Sequence, residues 1–265
     1  VDGVALAAVI AQYTGLAVAL GLVGRRLAGV PGRWHHRQLL DRQRFARLMH
    51  LNLNIMLRTW CLIAVFAFFT DRSAAQGETV LAANAVLQKY QMLMALALDG
   101  FAHAAEALAG RAIGARDRDG FRRVVRACGQ WSLGFAVLFA LAFALGGPAL
   151  AGLLTDLPAV RATVITYLPW MVLSPLVSVW PFLFDGVFIG ATRAREMRDT
   201  MAVAALGAFL PAWALVLPCG NHGLWAAFMI FLAVRGGTLA LAYRRIERGR
   251  GFVPRAPAAA GVPGP

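Results

Sequence analysis

The sequence lacks the short motifs that most often carry enzyme or metal chemistry. It has three cysteines, Cys61, Cys128 and Cys219, which are widely spaced and lie in or beside apolar stretches. They form no CxxC pair and no metal-ligand spacing, so we expect buried, inert thiols and no metal site. The sequence also contains neither a GxSxG turn nor an HExxH pair, two motifs typical of hydrolases. These absences predict a protein that is not an enzyme and that carries no cofactor.

Acidic residues are also scarce. Asp and Glu total 13 against 26 Lys and Arg, which gives a formal net charge of +13, and only Lys89 is a lysine. No patch combines these cations with aromatic residues, so the charge does not indicate a nucleic-acid partner. A mean hydropathy of +0.63 with 59% hydrophobic residues lies far above the range of a soluble domain. We therefore expect the lipid bilayer, including its anionic headgroups, to be the partner of this chain.

Long apolar runs dominate the sequence. A membrane-spanning helix needs roughly 20 apolar residues, and the lipid offers no water to satisfy backbone groups, so such runs form helices. The fold class predicted from this pattern is an all-α, polytopic membrane helix bundle with about seven transmembrane helices. The runs cover approximately residues 2–24, 48–70, 80–110, 127–147, 162–190, 199–218 and 222–243.

Nearly all the arginines fall in every second gap between these runs. Cytoplasmic loops retain Lys and Arg because such charges resist translocation. The pattern predicts a multi-pass protein of the cell inner membrane, with the Val1 end outside and the C-terminus in the cytoplasm. The basic gaps and the basic C-terminal stretch cover residues 25–47, 111–126, 193–198 and 244–255.

The chain opens at Val1 without a basic region of the kind that precedes a signal peptide, and it becomes apolar almost at once. We therefore expect the sequence to start inside a larger gene product. The expected organisation is a helix left over from an upstream unit, a cytoplasmic connector, a six-helix unit and a disordered Pro/Gly/Ala-rich tail. These segments are predicted at residues 1–24, 25–47, 48–245 and 246–265.

Ionisable residues within the apolar runs are expensive at bilayer depth, which makes them hypotheses for a functional site. At about 1.5 Å per helical residue, four of them lie roughly 12–18 Å from the nearest basic loop and form one layer near the midplane. We expect at least one arginine of this layer to contact an aspartate. The charges could lock the bundle or couple an ion to a substrate, and the sequence leaves both roles open. The four residues are Arg58, Asp99, Asp185 and Arg235.

The third run adds a polar stripe. Gln88, Asp99, His103 and Glu106 fall within about 60° of each other on one helix face. Asp99 and His103 are one turn apart and could share a proton, with the histidine titrating near neutral pH. This spacing is the geometry that a proton relay needs. We expect Glu106 to form a salt bridge with the nearby basic loop at Arg111.

The fifth run contains Pro169, Pro175 and Pro181. Each proline removes a backbone donor and favours a kink, so this run is predicted to be the least regular helix of the bundle. Bent helices in transporters act in gating and binding. Prolines are also common in membrane helices without such a role, and both interpretations stay open.

Several ordered motifs carry a family resemblance. They are LDGFAHAAEA at 98–107 followed by GARD at 114–117, FDGVFIGATR at 184–193, GNH at 220–222 and AVRG at 233–236. Together, over about residues 2–245, they resemble the DinF-like branch of the multidrug and toxic compound extrusion (MATE) family. The resemblance implies a secondary transporter of two six-helix lobes that exchanges organic, often cationic, compounds for H⁺ or Na⁺.

On this resemblance the chain comprises the last helix of the N-terminal lobe and the whole C-terminal lobe, and its partner is the missing N-terminal lobe. In DinF-like members the carboxylate most associated with proton coupling lies in the N-terminal lobe, so its counterpart would lie in that missing lobe. The spacing around Asp185 differs from that of the NorM branch, so the coupling role of that branch is not transferred to it. With no other obvious ion cage in the sequence, H⁺ is favoured over Na⁺.

Three alternatives remain open. A lipid-linked oligosaccharide flippase of the same superfamily would need several arginines for phosphate, and only Arg58 and Arg235 are available. An intramembrane hydrolase could use one of three serines, Ser132, Ser174 or Ser178, with His103 as the base. A non-transporting membrane remnant is the third alternative.

Overall fold

The computed structural model describes residues 2–29, 41–249 and 251–253, and these residues are helical apart from short connections. The chain divides into two compact units, residues 1–47 and residues 48–265. In the first unit, α1 (Asp2–Ala28) is an exposed apolar helix that ends with Arg25 and Arg26 in its last turn. The connector predicted at 25–47 falls partly outside the described residues.

The second unit is a bundle of antiparallel helices. Their bounds are α2 (Arg42–Ala74), which begins in the first unit, α3 (Glu78–Gly114), α4 (Arg118–Leu154), α5 (Pro158–Gly190), α6 (Ala194–Ala202), α7 (Leu210–Leu215) and α8 (Gly220–Arg248). A π-helical segment, Val203–Phe209, joins α6 to α7, and a 3₁₀ turn, Leu217–Cys219, precedes α8.

Six helical stretches of the described chain are long and apolar enough to cross a membrane. They are Ala5–Ala28, Phe45–Ala74, Glu78–Gly114, Arg118–Leu154, Pro158–Gly190 and Leu217–Arg248. The predicted run 199–218 is also helical, but the π-helical segment divides it into shorter pieces. The predicted fold class, an all-α polytopic membrane bundle, is confirmed.

Helices α3 and α5 cross at very close range because two glycines of α5 face the backbone of α3. A β-carbon at Gly186 would overlap the carbonyl oxygen of Ala102, and one at Gly190 would overlap that of Glu106. Glycines four residues apart allow this approach in membrane helices, where packing rather than the hydrophobic effect holds helices together. The crossing brings the α5 turn that carries Asp185 against the middle of α3.

The prediction that the fifth run is the least regular helix is wrong. Helix α5 continues from Pro158 to Gly190 through Pro169, Pro175 and Pro181. A neighbouring helix makes room for one of the rings, since a β-carbon on Gly236 of α8 would lie 2.9 Å from Cδ of Pro181. Packing of this kind lets a membrane helix tolerate prolines. The irregular stretch follows instead, between Ala194 and Cys219.

The arginine-rich end of the bundle, where α3, α5 and α8 finish and α4 begins, has an aromatic core of its own. Residues 251–253 turn back from α8 into it, and the Phe252 ring stacks on Phe121 and Tyr243 with centroids 5.1 and 5.4 Å away. Phe252 and Val253 are almost fully buried. The first part of the tail predicted to be disordered at 246–265 is therefore ordered. Helix α8 continues to Arg248, and the side chains of Phe252 and Val253 pack in the aromatic core. Residues 254–265 lie outside the described residues.

Candidate functional site

Three charged side chains meet inside the bundle, and we call them the Asp185 group: Arg58, Asp185 and Arg235. They come from α2, α5 and α8. One carboxylate oxygen of Asp185, Oδ2, accepts hydrogen bonds from Nη2 of Arg58 and from Nη2 of Arg235. Exposed fractions of the side chains are 17% for Arg58, 10% for Asp185 and 6% for Arg235. Two guanidiniums thus share a single buried carboxylate.

The hydrogen bonding of this group is incomplete. Asp185 Oδ1 and Arg58 Nε are both buried and have no hydrogen-bond partner among the described residues. A buried polar atom without a partner costs about 1–3 kcal/mol, and more when it belongs to a charged group. Buried charges are also costly unless they are paired and hydrogen-bonded. The group is therefore an expensive feature, which favours a role beyond stability.

The predicted polar stripe of α3 lies beside this group on an open face. Asp99 and His103 are exposed, while Gln88 and Glu106 are half-buried. Nδ1 of His103 lies 3.5 Å from Oε2 of Glu106, one turn further along the same helix. Within the described residues, the side chain of Glu106 thus lies against His103 of its own helix, and the expected salt bridge with the loop at Arg111 is not found. Asp99 is within electrostatic range of His103 and of all three members of the Asp185 group.

A neutral polar contact that the sequence analysis missed lies between α3 and α5, toward the end opposite the arginines. Ser174 Oγ donates to Gln91 Oε1 at 2.6 Å, and Ser178 Oγ lies 3.4 Å from Ser174 Oγ. All three residues are buried. The available signal was the polar residue Gln91 in an apolar run, three residues after Gln88. The serines were considered only as nucleophiles.

A second missed group ties three helices together near their other ends, and we call it the Asn84 group: Ser73, Asn84, Asn221 and Trp225. Asn84 Nδ2 donates to Ser73 Oγ and to Asn221 Oδ1, each at 2.7 Å. Asn84 Oδ1 accepts from Asn221 Nδ2 at 3.0 Å and from Trp225 Nε1 at 2.9 Å. Helices α2, α3 and α8 are joined by this network, which is buried throughout.

An open depression of about 340 Å³ lies on the face shared by α2 and α3. Apolar Phe66 and Met92 line it together with the polar residues Gln88, Lys89 and Gln91. Ligand pockets are commonly about 300–1,000 Å³, mostly apolar, with a few polar groups. The depression fits part of an amphipathic organic molecule. Among the described residues, no group of three or more His, Cys, Asp or Glu side chains is placed to hold a metal ion.

Comparison with known proteins gives a consistent result. The model of the MatE family matches residues 53–213. DNA damage-inducible protein F of Escherichia coli (strain K12) is 44% identical over 248 residues, which cover 92% of this chain and 53% of that protein. Protein DETOXIFICATION 42 of Arabidopsis thaliana is 25% identical over 253 residues, 95% of this chain and 47% of the relative. The chain spans about half the length of the curated relatives it matches.

Solved structures share the fold. A mutant of the Vibrio cholerae MATE transporter VcmN superposes with a TM-score of 0.82 at 22% identity, covering 92% of this chain and 55% of that one. A MOP superfamily transporter from Pyrococcus furiosus gives a TM-score of 0.68 at 17% identity, covering 80% and 48% of the two chains. At these identities the likeness concerns the fold alone.

Proposed function

This chain belongs to the MatE family, and from that premise we propose that it is part of a secondary antiporter. The antiporter exports organic cations, drugs or toxic metabolites from the cytoplasm in exchange for H⁺ or Na⁺. The observation that carries the proposal is the charged layer inside an apolar bundle. Intramembrane charges that face a cavity mark ion and substrate pathways. The arginine distribution supports an orientation in which the arginine-rich end lies on the cytoplasmic side of the cell inner membrane.

In this proposal Asp99 is the residue that accepts either the coupling ion or the cationic substrate. It is exposed on the open face of α3, whereas Asp185 is buried and already engaged by two arginines. His103 and Glu106 continue the polar path from Asp99 toward the arginine-rich end, and the depression at Phe66 and Met92 receives the apolar part of the substrate.

The open face of α3 completes the proposal. An aspartate and a histidine that faced lipid would be strongly unfavourable, so this face is expected to meet water or a second lobe. Rocking of one lobe against another around a central site is the general mode of such transporters. We therefore propose that the missing N-terminal lobe is the partner of this face. The three prolines of α5 are proposed to permit bending during that motion.

The flippase alternative receives little support from the charges. A phosphate-binding cavity needs guanidiniums that are free to bind the ligand. Both guanidiniums of the charged layer donate to Asp185 instead. An exported cation, not a phosphate-bearing lipid, is therefore the substrate class that we propose.

The direct test is the Asp99→Asn substitution in the gene product that contains this chain. The substitution keeps the shape of the side chain and removes its charge. We expect export of tetraphenylphosphonium driven by an imposed pH gradient to fall by about tenfold, since coupling free energies typically correspond to 5–150-fold effects. Tetraphenylphosphonium has no titratable group, so any pH dependence belongs to the protein.

The matched control is Asp156→Asn, which removes an exposed carboxylate between α4 and α5. Export by this control should equal that of the unaltered protein, and membrane insertion should be the same for both variants. Undiminished export by Asp99→Asn across a series of pH gradients would contradict the role of Asp99.

A further inference from the structure

The two arginines of the Asp185 group are held differently. Arg235 is the more deeply buried, with 6% of its side chain exposed against 17% for Arg58. Arg58 Nε has no hydrogen-bond partner among the described residues, and neither does Asp185 Oδ1. Each arginine makes a single hydrogen bond to Asp185 Oδ2, where a guanidinium and a carboxylate can form two. Arg58 is therefore the more exposed of the two arginines, and its buried Nε is unpaired among the described residues.

The register of α2 against α3 places Arg58 level with Asp99. Phe69 of α2 and Gln88 of α3 line the same small cavity. The two helices run antiparallel, and Arg58 lies eleven residues before Phe69 while Asp99 lies eleven residues after Gln88. Eleven residues are about three helical turns, or roughly 16 Å, and return each side chain to nearly the same face. Arg58 is therefore paired with Asp185 on α5 and lies within electrostatic range of Asp99 on α3.

The charge of this layer depends on Asp99. The Asp185 group alone carries two positive charges and one negative charge, and an ionised Asp99 brings the layer to neutrality. Other charged or titratable groups of α3 on this side are Lys89, His103 and Glu106. From α6, Arg198 donates to Asn54, one turn before Arg58 on α2, and Asp199 accepts from the same guanidinium. Helix α4 has no charged residue after Arg126, and the segment 203–219 has none.

We propose that Arg58 is a shared counter-ion that moves between Asp185 and Asp99 according to the charge of Asp99. With Asp99 ionised and unoccupied, the guanidinium of Arg58 is drawn to it, and Arg235 alone neutralises Asp185. With a proton or an organic cation on Asp99, Arg58 returns fully to Asp185. Arg58 is a positioning residue here, since it acts through the two carboxylates.

This inference deepens the proposed function and rests on it for one step only, the competition with a substrate. Arg58 and an organic cation compete for the single negative charge of Asp99, so the arginine weakens the binding of the substrate once Asp99 is free of its proton. The guanidinium of Arg58 and a cation bound at Asp99 are neighbouring like charges, which repel strongly in a medium of low dielectric. The positive excess of the Asp185 group also keeps a cationic substrate away from Asp185 itself.

A double-mutant cycle at two pH values tests the sharing of Arg58 without any transport assay. The apparent Tm of the purified gene product in lipid nanodiscs is measured for Arg58→Gln, Asp99→Asn and the double variant, at about pH 3 and about pH 8. We expect a coupling of about 2–4 °C at the higher pH, which corresponds to roughly 1 kcal/mol. At the lower pH, below the ordinary pKa of an aspartate, the coupling should fall as Asp99 gains a proton.

The matched cycle replaces Arg58→Gln by Arg235→Gln and should show less than about half of that coupling at either pH. Equal coupling in the two cycles, no coupling at the higher pH, or coupling that does not change with pH would each overturn the proposal. If Arg58→Gln does not fold, the double variant Arg58→Gln with Asp185→Asn takes its place in the cycle, because it removes both members of the pair. The coupling between Arg58 and Asp99 is measured without any substrate. A protein that does not transport would therefore contradict the proposed function, but the measured coupling would still support the sharing of Arg58.

Discussion

The Asn84 group and the Asp185 group are both buried polar clusters that join α2 and α8 to a third helix, but their hydrogen bonding differs. In the Asn84 group every polar side-chain atom has a partner, and all members are neutral. In the Asp185 group three charges meet and two buried atoms lack partners. A saturated network rigidifies a bundle, whereas an unsaturated one can adopt more than one pairing. We therefore expect the first group to hold the bundle together and the second to change its pairing, as proposed above.

The largest expected effect comes from removing the carboxylate of the Asp185 group. Asp185→Leu leaves two guanidiniums buried without their partner, and such a loss costs about 3–5 kcal/mol. We expect a marked fall in the apparent Tm of the gene product in detergent, measured by scanning fluorimetry.

The matched variant replaces all three charges, Arg58→Leu, Asp185→Leu and Arg235→Leu together. Replacing a whole buried ionic group by apolar residues is often neutral for stability. The triple variant should therefore recover most of the lost Tm while losing export. A triple variant no more stable than Asp185→Leu would mean that the charges themselves hold the bundle, and the contrast between the two groups would be lost.

In the Asn84 group we expect a substitution to lower the stability without changing export. The expected loss of stability lies between those of the other predictions. Asn84→Ala leaves the buried Trp225 Nε1 and the Asn221 amide without partners, at a cost of about 2–3 kcal/mol. We expect a lower Tm, whereas the pH dependence of export keeps its shape. Asn52→Ala, at an exposed position of α2, is the control and should leave both unchanged. A shift of the pH profile in Asn84→Ala would argue against a purely structural role.

The smallest effect is expected at an exposed ion pair. Arg123 Nη2 lies 3.6 Å from Asp117 Oδ2, and both side chains are more than half exposed. Exposed pairs contribute little because water and salt screen them. Arg123→Gln should leave Tm and export within experimental error of the unaltered protein. A fall in Tm comparable to that of Asp185→Leu would show that burial does not decide how much a charge pair contributes to the stability of this bundle.

Much of this architecture follows from patterns that are local in the sequence. Apolar runs of sufficient length predict the helices, and the ionisable residues inside them point to one charged layer. The pairing within that layer was not predictable, because it depends on how helices rotate and approach. Gly186 and Gly190 set that approach, and Asp185 rather than Asp99 receives both arginines as a result. Proline content was misleading for α5, since a fitting neighbour such as Gly236 cannot be read from the helix itself.

The return of residues 251–253 into the bundle has a practical consequence for anyone who shortens or labels this protein. The last helix ends at Arg248, which invites a cut or a fusion at that point. Such a cut would remove Phe252 and leave the rings of Phe121 and Tyr243 facing water at the arginine-rich end. The described bundle thus extends at least to Val253, and a cut or fusion before that residue would disturb its aromatic core.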